Sequence, residues 1–201
     1  KILYSVTFDG VKKKISANLG SHQVTFSSDY AYYIDNWSDA NTAPKYSINN
    51  NKGKELVVLE DNSVLNAKMK EYNFTKKEFF SFKTSDNVEL NGWMIKPANM
   101  EKGKKYPVFM YMYGGPGANT VENSFGYFDF AWFQMLAQKG YIVVSVDNRG
   151  TGGRGEQFKK CTYLQLGKYE VADQIEVAKY LGTLDYVDKA RIGVFGWSFG
   201  G

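Results

Sequence analysis

The second half of the chain alternates apolar runs with amphipathic runs, and this order limits what it can fold into. The apolar runs "YPVFMYMY", "YIVVSVD" and "RIGVFG" are separated by "FDFAWFQMLAQKG" and "KYEVADQIEVAKYLGTL". A short run that is apolar almost throughout is typical of a strand buried on both faces. Strand, helix, strand, helix, strand is the order of a parallel α/β sheet. The sequence therefore predicts an α/β domain with three buried parallel strands.

Each predicted helix carries apolar residues on one face, which we expect to pack on the sheet. In the first helix, predicted over residues 128–140, Gly140 suits the C-terminal cap, and the face consists of Phe130, Phe133, Leu136 and Ala137. In the second, predicted over residues 168–184, the face consists of Val171, Ile175, Ala178 and Leu181. Glu170 and Asp173 lie near its start, where carboxylates interact favourably with the helix dipole. This favours a structural role for both carboxylates over a catalytic one.

The first part of the chain has a different pattern of apolar and turn residues. Residues 1–60 read as about five short strands whose turn signals recur every 8 to 12 residues, which indicates antiparallel β structure. So few strands are typical of part of a larger assembly, such as a β-propeller blade with part of its neighbour. Residues 61–76 predict a linker helix capped by Asn62 or Ser63. Residues 77–201 then form the predicted α/β domain, beginning with a β-hairpin.

A possible nucleophile stands at the end of the third apolar run. Ser198 lies in "GWSFG", which fits the G-x-S-x-G pattern of a serine placed on a tight turn between a strand and a helix. Such a turn needs strained backbone angles, and the residues two positions either side must lack side chains. The alternative is a serine in an ordinary glycine-rich loop. Because a buried strand is predicted to lead into the motif, the pattern favours a nucleophile.

A nucleophilic serine needs donors that stabilise an oxyanion. The backbone N–H of Phe199 follows the nucleophile and should be one donor. The second should come from the loop after an earlier strand, which reads "YGGPG" from Tyr113. The Tyr113 hydroxyl lies at the carboxyl end of its predicted strand, where open α/β sheets bind ligands. A packed core tyrosine is the alternative, but the glycines that follow favour the functional reading.

The base that would activate the serine is missing from the predicted site. His22 is the only histidine and precedes Ser198, whereas in this fold the order is Ser, then Asp or Glu, then His. We therefore expect His22 to be structural and the 201 residues alone to be inactive. Since the chain starts at Lys1 with a strand-like run at once, we also expect it to begin inside a larger protein.

The run "GTGGRG" at residues 150–155 matches the G-x-G-x-x-G pattern of dinucleotide-binding proteins. No long apolar helix starts at its third glycine, so the sequence favours a glycine loop beside the active site. Asp147 and Arg149 are expected to hold that loop. The sequence predicts no cofactor and no metal.

The composition limits the classes of partner that the protein is expected to bind. A net charge of +4, from 25 basic and 21 acidic residues, is too balanced to indicate nucleic-acid binding. The single cysteine, Cys161, excludes an internal disulfide and a cysteine-based metal site. No apolar run approaches the length of a membrane-spanning helix.

Four segments together resemble the prolyl oligopeptidase family of serine peptidases, in its bacterial dipeptidyl peptidase IV branch. These are "YMYGGPGA", "VDNRGTGGRG", "LGKYEVADQIEVAKYL" and "RIGVFGWSFGG", and the segment from Gly20 to Ile48 resembles the end of that family's propeller. The resemblance implies a β-propeller followed by an α/β-hydrolase domain. It also implies that Ser198 is acylated while the Tyr113 hydroxyl and the Phe199 N–H form the oxyanion hole.

The resemblance further implies an activity. Enzymes of this branch remove dipeptides from free peptide N-termini after Pro, and less well after Ala, and they often form homodimers. A periplasmic or cell-envelope location is favoured by the resemblance alone. Phe199 stands where the family commonly has Tyr, which could shift residue preference. The alternatives are an acylaminoacyl peptidase or esterase of the same fold, and a non-catalytic binding module.

Overall fold

The computed structural model describes residues 1–126 and 129–201. Phe128, at the start of the first predicted helix, lies outside the described residues. The chain divides into two compact units. One holds Lys1–Phe74 with the described part of Glu122–Phe128, and the other holds Thr75–Val121 and Asp129–Gly201.

The first unit is built from antiparallel strands. β1 and β2 form a two-stranded pair, and β3 to β6 form a four-stranded sheet in which each strand pairs with the next along the chain. The strands are β1 (Tyr4–Val6), β2 (Lys12–Lys14), β3 (Ser21–Phe26), β4 (Tyr32–Asp39), β5 (Thr42–Asn50) and β6 (Glu55–Glu60). The turn signals of this region therefore mark hairpin connections.

Helix α1 (Ser63–Glu71) follows β6 in the first unit. Its predicted side-chain cap is wrong. The Asn62 amide donates instead to the carbonyl of Pro44 at 2.6 Å, and the Ser63 N–H donates to Asp61 Oδ1 at 2.9 Å. Asn62 adopts a φ of 53°, which carries its side chain out of capping position.

The second unit is built on a five-stranded sheet in the order β11-β9-β10-β8-β7. Its strands are β7 (Lys77–Lys83), β8 (Glu89–Ile95), β9 (Tyr106–Met112), β10 (Ile142–Asp147) and β11 (Val187–Gly196). β9, β10 and β11 are parallel, whereas β8 pairs antiparallel with both β10 and β7. The sheet is therefore mixed rather than mostly parallel, because the predicted hairpin extends it on the β10 side.

Helices cover this sheet on both faces. They are α2 (Phe130–Gln138), α3 (Glu156–Lys160) and α4 (Lys168–Leu181). Successive residues of β10 point to opposite faces. Val143 packs in a cluster with Phe133 of α2, whereas Val144 packs in another with Val177 of α4. Gly140, at a φ of 89°, ends α2 as predicted.

The predicted core face of α4 is correct for Leu181, which is buried, and for Ala178, which packs against the core, but it is wrong for Val171 and Ile175. Val171 and Ile175 are 57% and 51% exposed, whereas the buried residues of the helix are Glu170, Asp173, Gln174, Val177 and Leu181. Polar side chains occupy core-facing positions here because they hydrogen-bond to neighbouring loops, as described below. The helix is consequently rotated away from the face that its aliphatic residues indicated.

The prediction that the third strand is buried on both faces is also wrong. Val194 and Phe195 of β11 are 59% and 37% exposed. β11 is the edge strand of the described sheet and pairs only with β9, so its side chains have neighbours on one side alone. Among the described residues, no helix is both long and apolar enough to cross a membrane.

Candidate active site

The turn after β11 holds Ser198 in a strained conformation. Trp197 is still extended, and Ser198 then adopts a φ of 56° at the start of a 3₁₀ turn over Ser198–Gly200. A left-handed conformation is uncommon for a residue with a side chain, and costs about 1–3 kcal/mol. Such strain is common at functional sites. The Ser198 side chain is exposed, and no described residue hydrogen-bonds its hydroxyl.

The glycines on either side of Ser198 are required by close backbone contacts. A Cβ on Gly196 would lie 1.8 Å from the Gly200 carbonyl oxygen, and one on Gly200 would lie 2.2 Å from the Met112 carbonyl oxygen. Gly193, in the same strand, would meet nothing nearer than 3.9 Å. The turn therefore closes on itself and on the end of β9 in a way that admits no side chain at either flanking position.

The sheet brings Tyr113 to the same edge as Ser198. β9 and β11 are parallel with Met112 opposite Gly196, so the residues that follow these two strands are neighbours. The rings of Tyr113 and Phe199 have centroids 6.4 Å apart. The predicted nucleophile and both predicted oxyanion donors thus lie on adjacent turns.

Glycines shape the loop that follows Tyr113. Gly114 has a φ of 66°, and a Cβ on Gly115 would lie 2.7 Å from the Tyr113 ring. The ring therefore lies directly over Gly115.

Asp147, at the end of β10, anchors the far part of the same loop. Its Oδ1 accepts hydrogen bonds from the N–H and hydroxyl of Thr120, both at 2.8 Å, and its Oδ2 accepts from the Asn119 amide at 2.9 Å and the Val121 N–H at 3.1 Å. One carboxylate thus orders three successive residues. The sequence predicted that Asp147 holds the glycine loop at 150–155, whereas its carboxylate binds the loop after β9. Asn119 connects the two loops, because its amide also donates to the Gly152 carbonyl at 3.0 Å.

Asn148 connects the Tyr113 loop to α4. Its amide donates to the Gly114 carbonyl at 3.1 Å, and its Oδ1 accepts from the Gln174 amide at 3.2 Å. Gln174 also donates to the Val146 carbonyl at 3.1 Å. Both side chains are buried, so these hydrogen bonds are made away from water, where leaving a polar group unpaired is costly.

Arg149 and Asp173 form a buried ion pair beneath the glycine loop. The Arg149 guanidinium lies 2.6 Å from Asp173 Oδ1, and its backbone N–H donates to Asp173 Oδ2 at 2.7 Å. Asp173 is fully buried. Its hydrogen bonds raise the pKa of Arg149 above its usual value. The assignment of Asp173 to the helix dipole is therefore wrong, since it acts as the counter-ion of Arg149.

Two further carboxylates of this region, Asp86 and Glu170, accept hydrogen bonds. Arg149 also reaches Asp86 at 2.8 Å, in the turn between β7 and β8. The hydroxyl of Thr84, together with Arg149, lowers the pKa of Asp86. Glu170 accepts the N–H of Gly167 at 3.0 Å at the start of α4, as its position near the helix N-terminus suggested.

The glycine run at 150–155 leads into a helix of only five residues, α3. Gly150 instead bridges two segments: its N–H donates to Phe158 and its carbonyl accepts from Gly117. A dinucleotide site would need a long helix at this point. Among the described residues, no group of three or more His, Cys, Asp or Glu side chains could hold a metal ion.

His22 lies on β3 in the first unit, and its ring hydrogen-bonds to residues of that unit. Its Nδ1 is 2.7 Å from Asp35 Oδ2, and its Nε2 is 3.1 Å from the Asn18 carbonyl oxygen. The residue is buried, and this geometry agrees with a structural role.

Sequence reasoning missed Asn148, Gln174, Asn119 and Thr120 as residues that position the site. The only local signal was the position of Asn148 directly after a buried strand. The partners lie 26 to 34 residues away along the chain, which no periodic pattern can indicate.

A sequence profile of the prolyl oligopeptidase family matches residues 127–201, the segment that contains β10, α4 and the Ser198 turn. The match bears out the family resemblance for this segment, which contains three of the four motifs, whereas "YMYGGPGA" precedes it.

Dipeptidyl peptidases are among the similar proteins. The crystal structure of Porphyromonas gingivalis dipeptidyl peptidase 4 superposes with a TM-score of 0.93 at 45% identity, over 99% of this chain and 28% of that one. A probable dipeptidyl-aminopeptidase B of Ajellomyces capsulatus is 36% identical over 99% of this chain and 22% of its own length. A probable dipeptidyl peptidase 4 of Emericella nidulans is 35% identical over 89% of this chain and 23% of its own length. The chain thus spans less than a quarter of the length of the two curated relatives and 28% of the crystallised one.

Proposed function

We propose that the protein is a serine peptidase that removes dipeptides from the N-termini of peptides, with Ser198 as its nucleophile. One observation carries the proposal. Ser198 stands exposed in a left-handed turn between two glycines that cannot be replaced without a clash, beside Tyr113 at the carboxyl edge of a sheet. This is the arrangement that holds a nucleophile above an α/β-hydrolase sheet.

The mechanism follows from the groups on these two turns. Ser198 Oγ attacks the carbonyl carbon of the scissile peptide bond and gives its proton to a histidine, which the family resemblance implies together with an aspartate. The Tyr113 hydroxyl and the Phe199 N–H donate hydrogen bonds to the negatively charged oxygen that forms. The C–N bond then breaks, the amine takes a proton from the histidine, and the acyl group stays on Ser198. Water releases it in the reverse sequence.

The two units suit this proposal. We assign residues 1–60 to the last strands of a β-propeller, residues 61–76 to a linker helix, and residues 77–201 to the first half of an α/β-hydrolase domain. The four-stranded antiparallel sheet of β3 to β6 supports the propeller assignment, because a blade has that form. Two parallel strands that each lead into a functional turn support the hydrolase assignment.

The proposed substrates are peptides with a free N-terminus and Pro, or less well Ala, as the second residue. The names of the similar proteins support dipeptide release, and the exposed ring of Phe199 next to Tyr113 supports a pocket for a flat apolar ring. A homodimer is proposed on the family resemblance alone.

Hydrolysis by the full-length protein tests the substrate class. We expect it to cleave Gly-Pro p-nitroanilide, to leave the same compound with an acetylated amine intact, and to cleave a simple p-nitrophenyl ester more slowly in kcat/KM. Rapid cleavage of the acetylated compound would indicate an acylaminoacyl peptidase instead. Cleavage of the ester alone would indicate an esterase.

A further inference from the structure

A cavity of about 630 Å³ lies next to the Tyr113 loop within the second unit. Pro116 forms one wall, and the end of α3 with the segment that follows it, residues 159–166, forms the other. No step of the proposed mechanism uses this cavity. Its walls are mainly apolar, through Pro116, Tyr163, Leu164 and Leu166.

Direct contacts connect the cavity with the proposed oxyanion donor. The Tyr113 ring lies over Gly115, and a Cβ on Gly117 would lie 3.0 Å from Lys159 Cε. Pro116 stands between these two glycines. The Tyr113 ring, which lies beside Phe199, and the Lys159 side chain therefore flank residues 115–117, of which Pro116 lines the cavity.

The apolar wall is exposed and partly strained. Tyr163, Leu164 and Leu166 are 75%, 89% and 60% exposed, and Leu164 adopts a φ of 57°. The segment is nevertheless anchored, because buried Thr162 packs against Gly150 of the glycine loop. Adjacent exposed apolar side chains of this kind are typical of a binding surface.

Two lysine side chains line the cavity, and they differ in whether their ammonium group has a counter-ion. The Lys160 ammonium pairs with Glu156, whereas the Lys159 ammonium, also at the cavity wall, has no hydrogen bond or ion pair among the described residues. An apolar cavity with one unpaired ammonium at its wall is complementary to an apolar group that carries a carboxylate.

We infer that this cavity binds the part of the substrate on the carboxyl side of the scissile bond, and that it prefers an apolar residue followed by an acidic one. The inference rests on the proposed function. A peptide whose carbonyl meets Tyr113 and Phe199, with its acyl side towards Phe199, continues past Tyr113 towards Pro116 and Lys159. The cavity thus selects which leaving peptides are released efficiently.

Competing peptides that differ only after the scissile bond test this. The full-length protein is given Gly-Pro-Phe-Glu-amide and Gly-Pro-Phe-Lys-amide, and each kcat/KM is divided by that for Gly-Pro p-nitroanilide, which has no second leaving residue. We expect wild type to prefer the Glu peptide, and Lys159→Glu to lower the Glu/Lys ratio about 5- to 10-fold, since attraction becomes repulsion at a partly exposed site. Lys102→Glu, at an exposed loop of the same unit, should keep the wild-type ratio.

The outcomes separate the two proposals. A Glu/Lys ratio that is the same in wild type and Lys159→Glu would overturn the assignment of the cavity while leaving dipeptide release intact. An equal fall in the Lys102→Glu control would overturn it too, because net charge alone would then explain the effect. Failure of wild type to cleave any of the three compounds would instead defeat the proposed function.

Discussion

The turns after β10 and after β11 lie at the same edge of one sheet but are held in opposite ways. Residues 147, 148, 150 and 151 after β10 are buried, and the side chains of Asp147, Asn148 and Arg149 hydrogen-bond to other loops and to α4. Residues 197–199 after β11 are exposed, and close backbone contacts at Gly196 and Gly200 define their path. Side-chain hydrogen bonds order the turn after β10, whereas close backbone contacts at two glycines order the turn after β11.

The turn after β10 supports the candidate site, whereas the turn after β11 carries its proposed nucleophile. Hydrogen bonds made by buried side chains fix the loop that presents Tyr113. Backbone contacts fix Ser198 while its hydroxyl has no hydrogen-bond partner among the described residues. Support through the backbone leaves the Ser198 hydroxyl free to hydrogen-bond the base that takes its proton, as the proposed mechanism requires. Substitutions at the two turns should therefore fail in different ways.

The largest effect is expected at the Ser198 turn. Gly196→Ala places a methyl group 1.8 Å from the Gly200 carbonyl oxygen, so the turn must open and the full-length protein should lose all measurable peptidase activity. Gly193→Ala, whose new Cβ meets nothing within 3.9 Å, is the matched control and should keep most of it. Equal activity in the two variants would show that the turn is not sterically closed.

A loss of stability is expected at the buried ion pair. Asp173→Asn removes the fully buried partner of the Arg149 guanidinium, which then keeps only its ion pair with exposed Asp86, and should lower the free energy of unfolding by about 3–5 kcal/mol. Asp185→Asn changes an exposed carboxylate of the same unit and serves as the control. Urea unfolding measures both, and a difference below about 1 kcal/mol would contradict a structural role for Asp173.

A catalytic effect without loss of stability is expected for Tyr113→Phe. Removing one oxyanion donor costs about 10²- to 10³-fold in kcat, and the ring that packs over Gly115 is retained. Steady-state kinetics with Gly-Pro p-nitroanilide should show a lower kcat at a similar KM, with an unchanged unfolding midpoint. A higher KM with an unchanged kcat would instead assign Tyr113 to substrate packing.

The smallest effect is expected at Asp86, whose pKa is lowered by the Thr84 hydroxyl and Arg149. A carboxyl with a lowered folded-state pKa stabilises the fold above its unfolded-state pKa, and this stabilisation disappears as the pH falls through the folded-state pKa. Asp86→Asn should therefore cost at most ~1 kcal/mol at pH 7, as exposed ion pairs do, and less at acidic pH. A cost that grows as the pH falls would have the wrong sign.

Local patterns predicted local structure well. The apolar runs identified β9, β10 and β11 as strands, and the glycine spacing around Ser198 indicated a strained turn because the clash at Gly196 is with Gly200, within the same five residues. The core face of α4 was mispredicted because Asp173 and Gln174 are buried through hydrogen bonds to residues 24 to 28 positions away. Helical periodicity counts apolar residues and cannot represent a polar side chain that is satisfied by a distant partner.

The exposure of β11 was missed for a related reason. An apolar run indicates a strand that can be buried, but its place in the sheet order decides how many neighbours it has. The register with Met112 opposite Gly196 is likewise a property of pairing, and it is this register that brings Tyr113 beside Phe199.

Covalent labelling tests the central claim most directly. The full-length protein is treated with a fluorophosphonate, and the modified residue is identified by mass spectrometry in wild type and in Ser198→Ala. We predict that wild type is labelled at Ser198 and that the variant, with the same unfolding midpoint, is not labelled. Undiminished labelling of Ser198→Ala, or an unlabelled wild type, would contradict the assignment of Ser198 as the nucleophile.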